Sequence, residues 1–97
     1  MATYIVLANF TDQGIRNVKE SPKRAEAFRE MAKKLGVTVK EIYWTFGQYD
    51  LVISLEAPDA AAVTAVSLSV CALGNVRTQT LAAFSADEMG RILGKIP

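Results

Sequence analysis

Along the chain, stretches of alternating apolar and polar residues give way to stretches with apolar residues at helical spacing. Runs rich in β-branched and aromatic residues predict four strands. These strands cover residues 3–10, 37–46, 49–56 and 76–84. Apolar positions three and four residues apart predict one helix from Ser21 to Leu35, a second after Asp59 and a short third after Ser85. The predicted order is therefore βαββαβ followed by a C-terminal helix.

Local signals mark the ends of the helices. Ser21 before Pro22 predicts an N-cap followed by a proline at the first helical position, after a polar connection from the first strand. Gly36 suits a left-handed cap that ends this helix. Ser85 and Glu88 have the spacing of a capping box. These signals place the helices between the strands.

The element order predicts an α+β fold of the ferredoxin-like, split βαβ type, because two β-α-β halves flank a central hairpin. Right-handed crossovers then put both main helices on one face of a four-stranded antiparallel sheet. Residues 1–97 are expected to form a single domain, since neither a linker nor a repeat interrupts the pattern.

The central hairpin is predicted to turn at Gly47-Gln48, because glycine at the first central position suits a two-residue type II′ turn. An even turn fixes which side chains face each other. The expected pairs, all on the side of the helices, are Phe46–Tyr49, Trp44–Leu51 and Ile42–Ile53. Tyr43 and Asp50 then fall on the opposite side.

The first strand is apolar on both sides. Ile5 and Leu7 point one way, and a second apolar set points the other way, namely Tyr4, Val6, Ala8 and Phe10. Helices cover only one of these sides, so the other needs a different cover. The simplest cover is the same surface of a second copy, which predicts a homodimer or a higher homo-oligomer.

Composition narrows the classes of function. The 11 basic and 10 acidic residues leave a net charge of +1, which gives no field to attract nucleic acid or an anionic membrane. The chain has no histidine and a single cysteine, Cys71. We therefore expect no metal site, no cofactor and no disulfide, and a reducing, cytoplasmic location.

Three segments together resemble the GYD domain family, which is named after its hairpin motif. They are residues 45–53 with the motif Gly47, Tyr49 and Asp50, residues 56–59, and residues 73–84. The resemblance implies a dimeric α+β barrel, similar in layout to the effector-binding domains of Lrp/AsnC regulators. This chain has no helix-turn-helix motif, so the resemblance does not imply the DNA binding of those regulators.

Polar residues on the strands are the candidates for ligand binding or for an interface. They are Asn9, Tyr43, Asp50, Arg77, Thr78 and Thr80. Asp50 suits a functional role, as a ligand anchor or a general base. It equally suits a structural role, in which it accepts backbone N–H bonds near the hairpin or pairs with Arg77 across the interface. The sequence leaves open whether Arg77 or Thr78 faces the second side of the sheet, and catalytic residues are not identified.

Three functions fit these features. The first is a homo-oligomeric module that binds a small, partly apolar molecule or regulates a partner. The second is a cofactor-independent enzyme, resembling monooxygenases or isomerases, with a pocket on the sheet side without helices. The third is a purely structural assembly protein.

Overall fold

Four strands and four helices make up the chain, whose residues 1–97 are all described by a computed structural model. The strands are β1 (Ala2–Phe10), β2 (Thr38–Trp44), β3 (Leu51–Ala57) and β4 (Val76–Ala83). The helices are α1 (Asp12–Arg16), α2 (Ser21–Lys34), α3 (Ala60–Ala72) and α4 (Ala86–Leu93). None of the helices combines the length and apolar character that crossing a membrane requires.

The sheet has the strand order β2-β3-β1-β4, and every neighbouring pair is antiparallel. This is the predicted ferredoxin-like α+β layout. β1 and β3 are central, whereas β4 forms one edge of the sheet. Arg77, Thr78 and Thr80 therefore lie on an edge strand, because β4 pairs only with β1.

The core lies between one face of the sheet and the helices α2 and α3. It contains apolar side chains from β1, β3, both helices and the segment before β2. Its buried members are Val6, Phe28, Ala32, Val37, Ile53, Leu55, Ala57, Val63 and Val66. The helix side of β3 is the predicted one, and on β1 the helix side is that of Val6 and Ala8.

The register of the hairpin strands is the predicted one. β2 and β3 pair with Trp44 opposite Leu51 and with Ile42 opposite Ile53. β2 is shorter than expected, and its pairing shifts between Val39 and Glu41. A bulge of this kind adds one residue to a strand and bends it.

The hairpin turn is wider than predicted. The amide of Thr45 donates to the carbonyl oxygen of Asp50 at 2.8 Å, which leaves residues 46–49 outside the ladder. Gly47 has a φ of +134°, a conformation that glycine adopts without strain. The predicted pair of Phe46 and Tyr49 on the helix side is wrong, because the wider loop ends the alternation and leaves Phe46 fully exposed.

The polar connection from β1 to α2 contains a short helix and a 3-10 turn, which the sequence did not predict. Thr11 caps α1 by accepting a hydrogen bond from the amide of Gly14, and a 3-10 turn at residues 18–20 leads directly into α2. Ser21 already has helical backbone angles, so its predicted role as N-cap is wrong. Its hydroxyl accepts a hydrogen bond from the indole of Trp44 instead.

The start of α1 is attached to the segment that ends α3. The amide of Thr11 donates to the carbonyl of Asn75 at 3.0 Å, and the Thr11 hydroxyl donates to the carbonyl of Gly74. Gln13 donates to the side chain of Asn75. A Cβ atom on Gly14 would lie 1.9 Å from the Asn75 carbonyl oxygen, so only glycine permits this close approach.

The C-terminal helix α4 is capped but not packed on the core. Ser85 and Glu88 form the predicted capping box, and the hydrogen bonds from the Ser85 backbone and side chain hold the pKa of Glu88 below its ordinary value. The apolar side chains of Met89, Leu93 and Ile96 are exposed. In a single chain the apolar face of α4 therefore has little to pack against.

Candidate functional site

The side of the sheet without helices is the first candidate surface, and we call it the open sheet face. Ile5 pairs with Leu81 across β4, and Leu7 pairs with Val52 across β3. These four apolar side chains are partly or largely exposed. Polar side chains on the same face surround them, namely Asn9, Glu41, Tyr43, Ser54, Arg77 and Gln79.

Three of the six predicted site residues share the open sheet face. Asn9 on β1 lies directly opposite Arg77 on β4, and Tyr43 on β2 lies opposite Val52 on β3. The register therefore answers the question that the sequence left open, because Arg77 and not Thr78 is on the open sheet face. Arg77 and Tyr43 are both exposed, on opposite edges of the sheet.

The two predicted threonines lie on the other side, against α3. Thr78 Oγ1 is 3.4 Å from the Sγ atom of Cys71, and Thr80 Oγ1 is 3.4 Å from the Oγ atom of Ser67. These contacts join the edge strand to the helix above it. The structure thus separates Thr78 and Thr80 from Asn9, Tyr43 and Arg77.

Asp50 connects the hairpin to the end of β1. Its carboxylate accepts a hydrogen bond from the amide of Phe10 at 2.9 Å, and its own amide donates to the carbonyl of Ala8 at 2.9 Å. Of the roles that the sequence left open, the structure shows the acceptor of a backbone N–H group. The carboxylate extends the pairing of β1 with the hairpin beyond the last regular residue.

Tyr49 has a different environment from the one we predicted. Its hydroxyl donates to Oε1 of Gln79 at 3.0 Å, and Gln79 pairs with Leu7 on the open sheet face. The phenol therefore reaches across the sheet toward β4 and is not part of the core under the helices. Sequence reasoning missed Gln79, because only the register of β4 identifies it as the partner.

A cavity of about 340 Å³ is the second candidate surface. It lies between α2, α3 and the sheet, and we call it the interhelix cavity. Its walls are mainly apolar and include Val6, Phe28, Met31, Leu55, Val66 and Val70. The enzyme alternative required a pocket on the open sheet face, but this cavity is on the opposite side of the sheet and Asp50 does not line it.

Six polar residues line the interhelix cavity, namely Ser21, Arg24, Ser67, Ser69, Asn75 and Thr78. Ser21 is the most deeply buried residue among the four hydroxyl-bearing ones. Ser21 is 5% exposed, and its Oγ accepts a hydrogen bond of 2.9 Å from the indole nitrogen of Trp44. A serine hydroxyl has one proton of its own to donate. Because the Trp44 bond uses only a lone pair, that proton remains free for an acceptor.

Arg24, one helical turn after Ser21, is the only charged residue that lines the cavity. Its guanidinium donates to the carbonyl oxygens of Asn17 at 2.8 Å and Gly14 at 3.3 Å, which fixes its position beside the cavity. No acidic side chain lies within ion-pair distance of it. Its positive charge is therefore hydrogen-bonded but not neutralised. The sequence showed only the spacing of Ser21 and Arg24 along a helix, not the cavity beside them.

Groups suited to metal binding are dispersed in this structure. No three side chains of the His, Cys, Asp and Glu types lie close enough together to hold a metal ion. Cys71 is a free thiol and is half-buried. The two candidate surfaces are an apolar sheet face with polar surroundings and a mainly apolar cavity whose lining includes Ser21 and the charged Arg24.

Comparisons with known proteins agree with this fold. The sequence model of the GYD domain family matches residues 4–93. A Thermus thermophilus protein described as "Glutamine synthetase and cystathionine beta-lyase binding protein" is 38% identical over 94 residues, which is 95% of this chain and 99% of the relative.

Two solved structures show the same architecture. The crystal structure of TTHA0845 from Thermus thermophilus has 31% identity and a TM-score of 0.57, and the match covers 89% of this chain and 96% of that one. A feast or famine regulatory protein from M. tuberculosis, complexed with L-methionine, has 19% identity and a TM-score of 0.67. That match covers 89% of this chain and 52% of the regulator, and it indicates the fold alone.

Proposed function

The chain belongs to the GYD domain family, and from this premise we propose that it is a self-associating module that regulates an enzyme by binding to it. In the proposed assembly two copies pack their open sheet faces together and form a dimeric α+β barrel. The exposed apolar area of that face is the observation that carries the proposal.

The amount of exposed surface supports self-association. A compact monomer of this mass exposes about 5,400 Å², whereas the chain exposes 6560 Å². The excess is roughly 1,100 Å², which is larger than the ~800 Å² that each partner contributes to an interface of ordinary size. The radius of gyration of 14.5 Å likewise exceeds the value of about 12.5 Å for a compact domain of this length. A second copy would cover surface that one chain leaves open.

The composition of the open sheet face suits a symmetric interface. Ile5, Leu7 and Val52 supply an apolar centre on the central strands. Tyr43 and Arg77 lie on the two outer strands, and tyrosine and arginine are enriched at protein interfaces. A two-fold axis through the centre would apply the same patch on both copies, so every apolar residue would meet an apolar surface.

The proposed partner follows from the Thermus relative. That protein is described as binding glutamine synthetase and cystathionine β-lyase, and its match extends over almost the whole of both chains. We therefore assign this chain a partner of the same kind, an enzyme of amino-acid metabolism. A dimer presents two copies of any docking surface, which raises its avidity for an oligomeric enzyme.

Sedimentation velocity tests the proposed partner. The labelled chain is mixed with purified glutamine synthetase or cystathionine β-lyase from its own source organism. We expect the label to sediment with at least one of the two enzymes at micromolar concentration. The variant Leu81→Lys, which places a charge on the open sheet face, should co-sediment less because it binds with one copy only.

The matched control is Leu68→Lys on α3, since Leu68 is also exposed but faces away from the open sheet face. This variant should co-sediment as the unmodified chain does. If the unmodified chain sediments alone in the presence of either enzyme, the proposed partner is wrong.

A further inference from the structure

We infer that the interhelix cavity is a binding site for a small apolar carboxylate, such as a medium-chain fatty acid or an aromatic acid. The inference depends on the cavity and on Ser21 and Arg24 in its lining, and it is independent of the enzyme partner proposed above. Its three elements are the size of the cavity, its apolar walls and the pair formed by Ser21 and Arg24.

The cavity has the size and lining of a small-molecule site. Its volume of about 340 Å³ lies within the range of roughly 300–1,000 Å³ that is usual for ligand pockets. Ala25 on α2 and Ser67 on α3 line it, and side chains this small leave the space between the helices open. An apolar ligand would fill a gap that the side chains themselves do not fill.

The volume of the cavity determines which kind of occupant fits. One turn of a helix is about 5.4 Å long and about 10 Å wide, which corresponds to roughly 420 Å³. The cavity of about 340 Å³ is smaller than that single turn. The buried side chains of Val6 and Leu55 on the sheet close its floor. The size therefore favours a small molecule over a protein segment.

The polar groups determine the chemistry of the ligand head. Ser21 and Arg24 lie three residues apart on α2, so both side chains are on the same face of the helix. Both offer donors, and Arg24 adds a positive charge that no acidic side chain neutralises. A carboxylate accepts several hydrogen bonds and carries the complementary charge. The pair therefore selects an anionic acceptor.

Nuclear magnetic resonance titration locates the site directly. The ¹⁵N-labelled chain is titrated with octanoate and, separately, with 1-octanol, which has the same chain but no charge. We expect saturable shifts at cavity residues such as Val66 and Val70, and none at Leu81 on the open sheet face. Octanoate should bind about tenfold more tightly than 1-octanol, because a charge-assisted hydrogen bond contributes roughly this factor.

Two variants test the inference separately, one for the charge of the ligand and one for the place where it binds. Arg24→Gln should remove the preference for octanoate and leave the affinity for 1-octanol unchanged. Its control is Arg29→Gln, since Arg29 is on the same helix and bonds to the carbonyl of Val39 but does not line the cavity. Ala25→Leu should fill the cavity and abolish the binding of both probes while the chain stays folded.

Three results would overturn the inference. The first is the absence of saturable shifts at the cavity residues. The second is equal affinity of the unmodified chain for octanoate and 1-octanol, because the site would then not recognise the carboxylate. The third is unchanged binding by folded Ala25→Leu, because the ligand would then occupy another place.

Discussion

Asp50 and its backbone partners show how one side chain sets the position of the hairpin. The regular ladder between β1 and β3 ends at the pair of Ala8 and Leu51. Asp50 continues it with one backbone bond to Ala8 and one side-chain bond to Phe10. A carboxylate at this position replaces a backbone carbonyl that the turning chain no longer supplies.

The variant Asp50→Ala should therefore lower the free energy of unfolding by about 1–2 kcal/mol, because the amide of Phe10 loses its acceptor. Asp50→Asn should cost less, since the amide oxygen still accepts. Urea unfolding followed by circular dichroism measures both effects. Equal unfolding midpoints for the unmodified chain and Asp50→Ala would contradict the structural role of this carboxylate.

At Gly14 the absence of a Cβ atom allows α1 to pack closely on the backbone of Asn75. A Cβ atom there would overlap the carbonyl oxygen of Asn75. Gly14→Ala should lower the free energy of unfolding by about 1–3 kcal/mol, the usual cost of forcing extra atoms into a packed site. Gly90→Ala is the control, because its Cβ would meet open space on α4.

The control should be neutral or slightly stabilising, since alanine favours a helix more than glycine does. Thermal unfolding of both variants gives the comparison. If Gly14→Ala unfolds at the same temperature as Gly90→Ala, the close packing of α1 on Asn75 is not present in solution.

At the level of elements, the regular parts of the fold were predictable from sequence. The period of two in the strands and the apolar stripe of α3 predicted the sheet and the order of elements, and the even hairpin turn predicted the helix side of β2 and β3. The capping box of α4 was also predictable, because its two residues are only three positions apart. Signals of this kind are local, so a single segment contains them completely.

Features that depend on distant residues were not predictable. Thr11 and Gly14 hold α1 against the loop at Gly74-Asn75, about 60 positions later, and the short segment itself has little helical signal. Ser21 fits the pattern of an N-cap, but the 3-10 turn before it already provides helical backbone. Its hydroxyl is then free to accept from Trp44, which lies 23 positions away.

The residues of the candidate surfaces likewise fall into those that a local pattern places and those whose position depends on distant parts of the chain. Placing Tyr43 on the open sheet face needed only the alternation along the hairpin. Placing Arg77 there needed the register of β4, which no tight turn fixes. The interhelix cavity depends on the distance between α2 and α3, and that distance is set by packing across the whole sheet. Sequence patterns contain no such distance.

For the whole molecule, the sheet separates two surfaces with different proposed roles. One side is the open sheet face, which we assign to a second copy. The other side holds the interhelix cavity, which we assign to a small apolar carboxylate. The molecule is only 18 Å across its shortest axis and 51 Å along its longest, so one thin sheet layer separates the two surfaces.

The central claim is that the open sheet face is covered by another copy of the chain. Size-exclusion chromatography with light scattering tests it most directly, on the unmodified chain and on Leu81→Lys and Leu68→Lys at micromolar concentration. Leu81 and Leu68 are both exposed in one chain, so neither variant should prevent folding. We predict a mass of at least two chains for the unmodified protein and for Leu68→Lys, and a mass near 10.5 kDa for Leu81→Lys. A mass of one chain for the unmodified protein, or an unchanged oligomer in Leu81→Lys, would contradict the account.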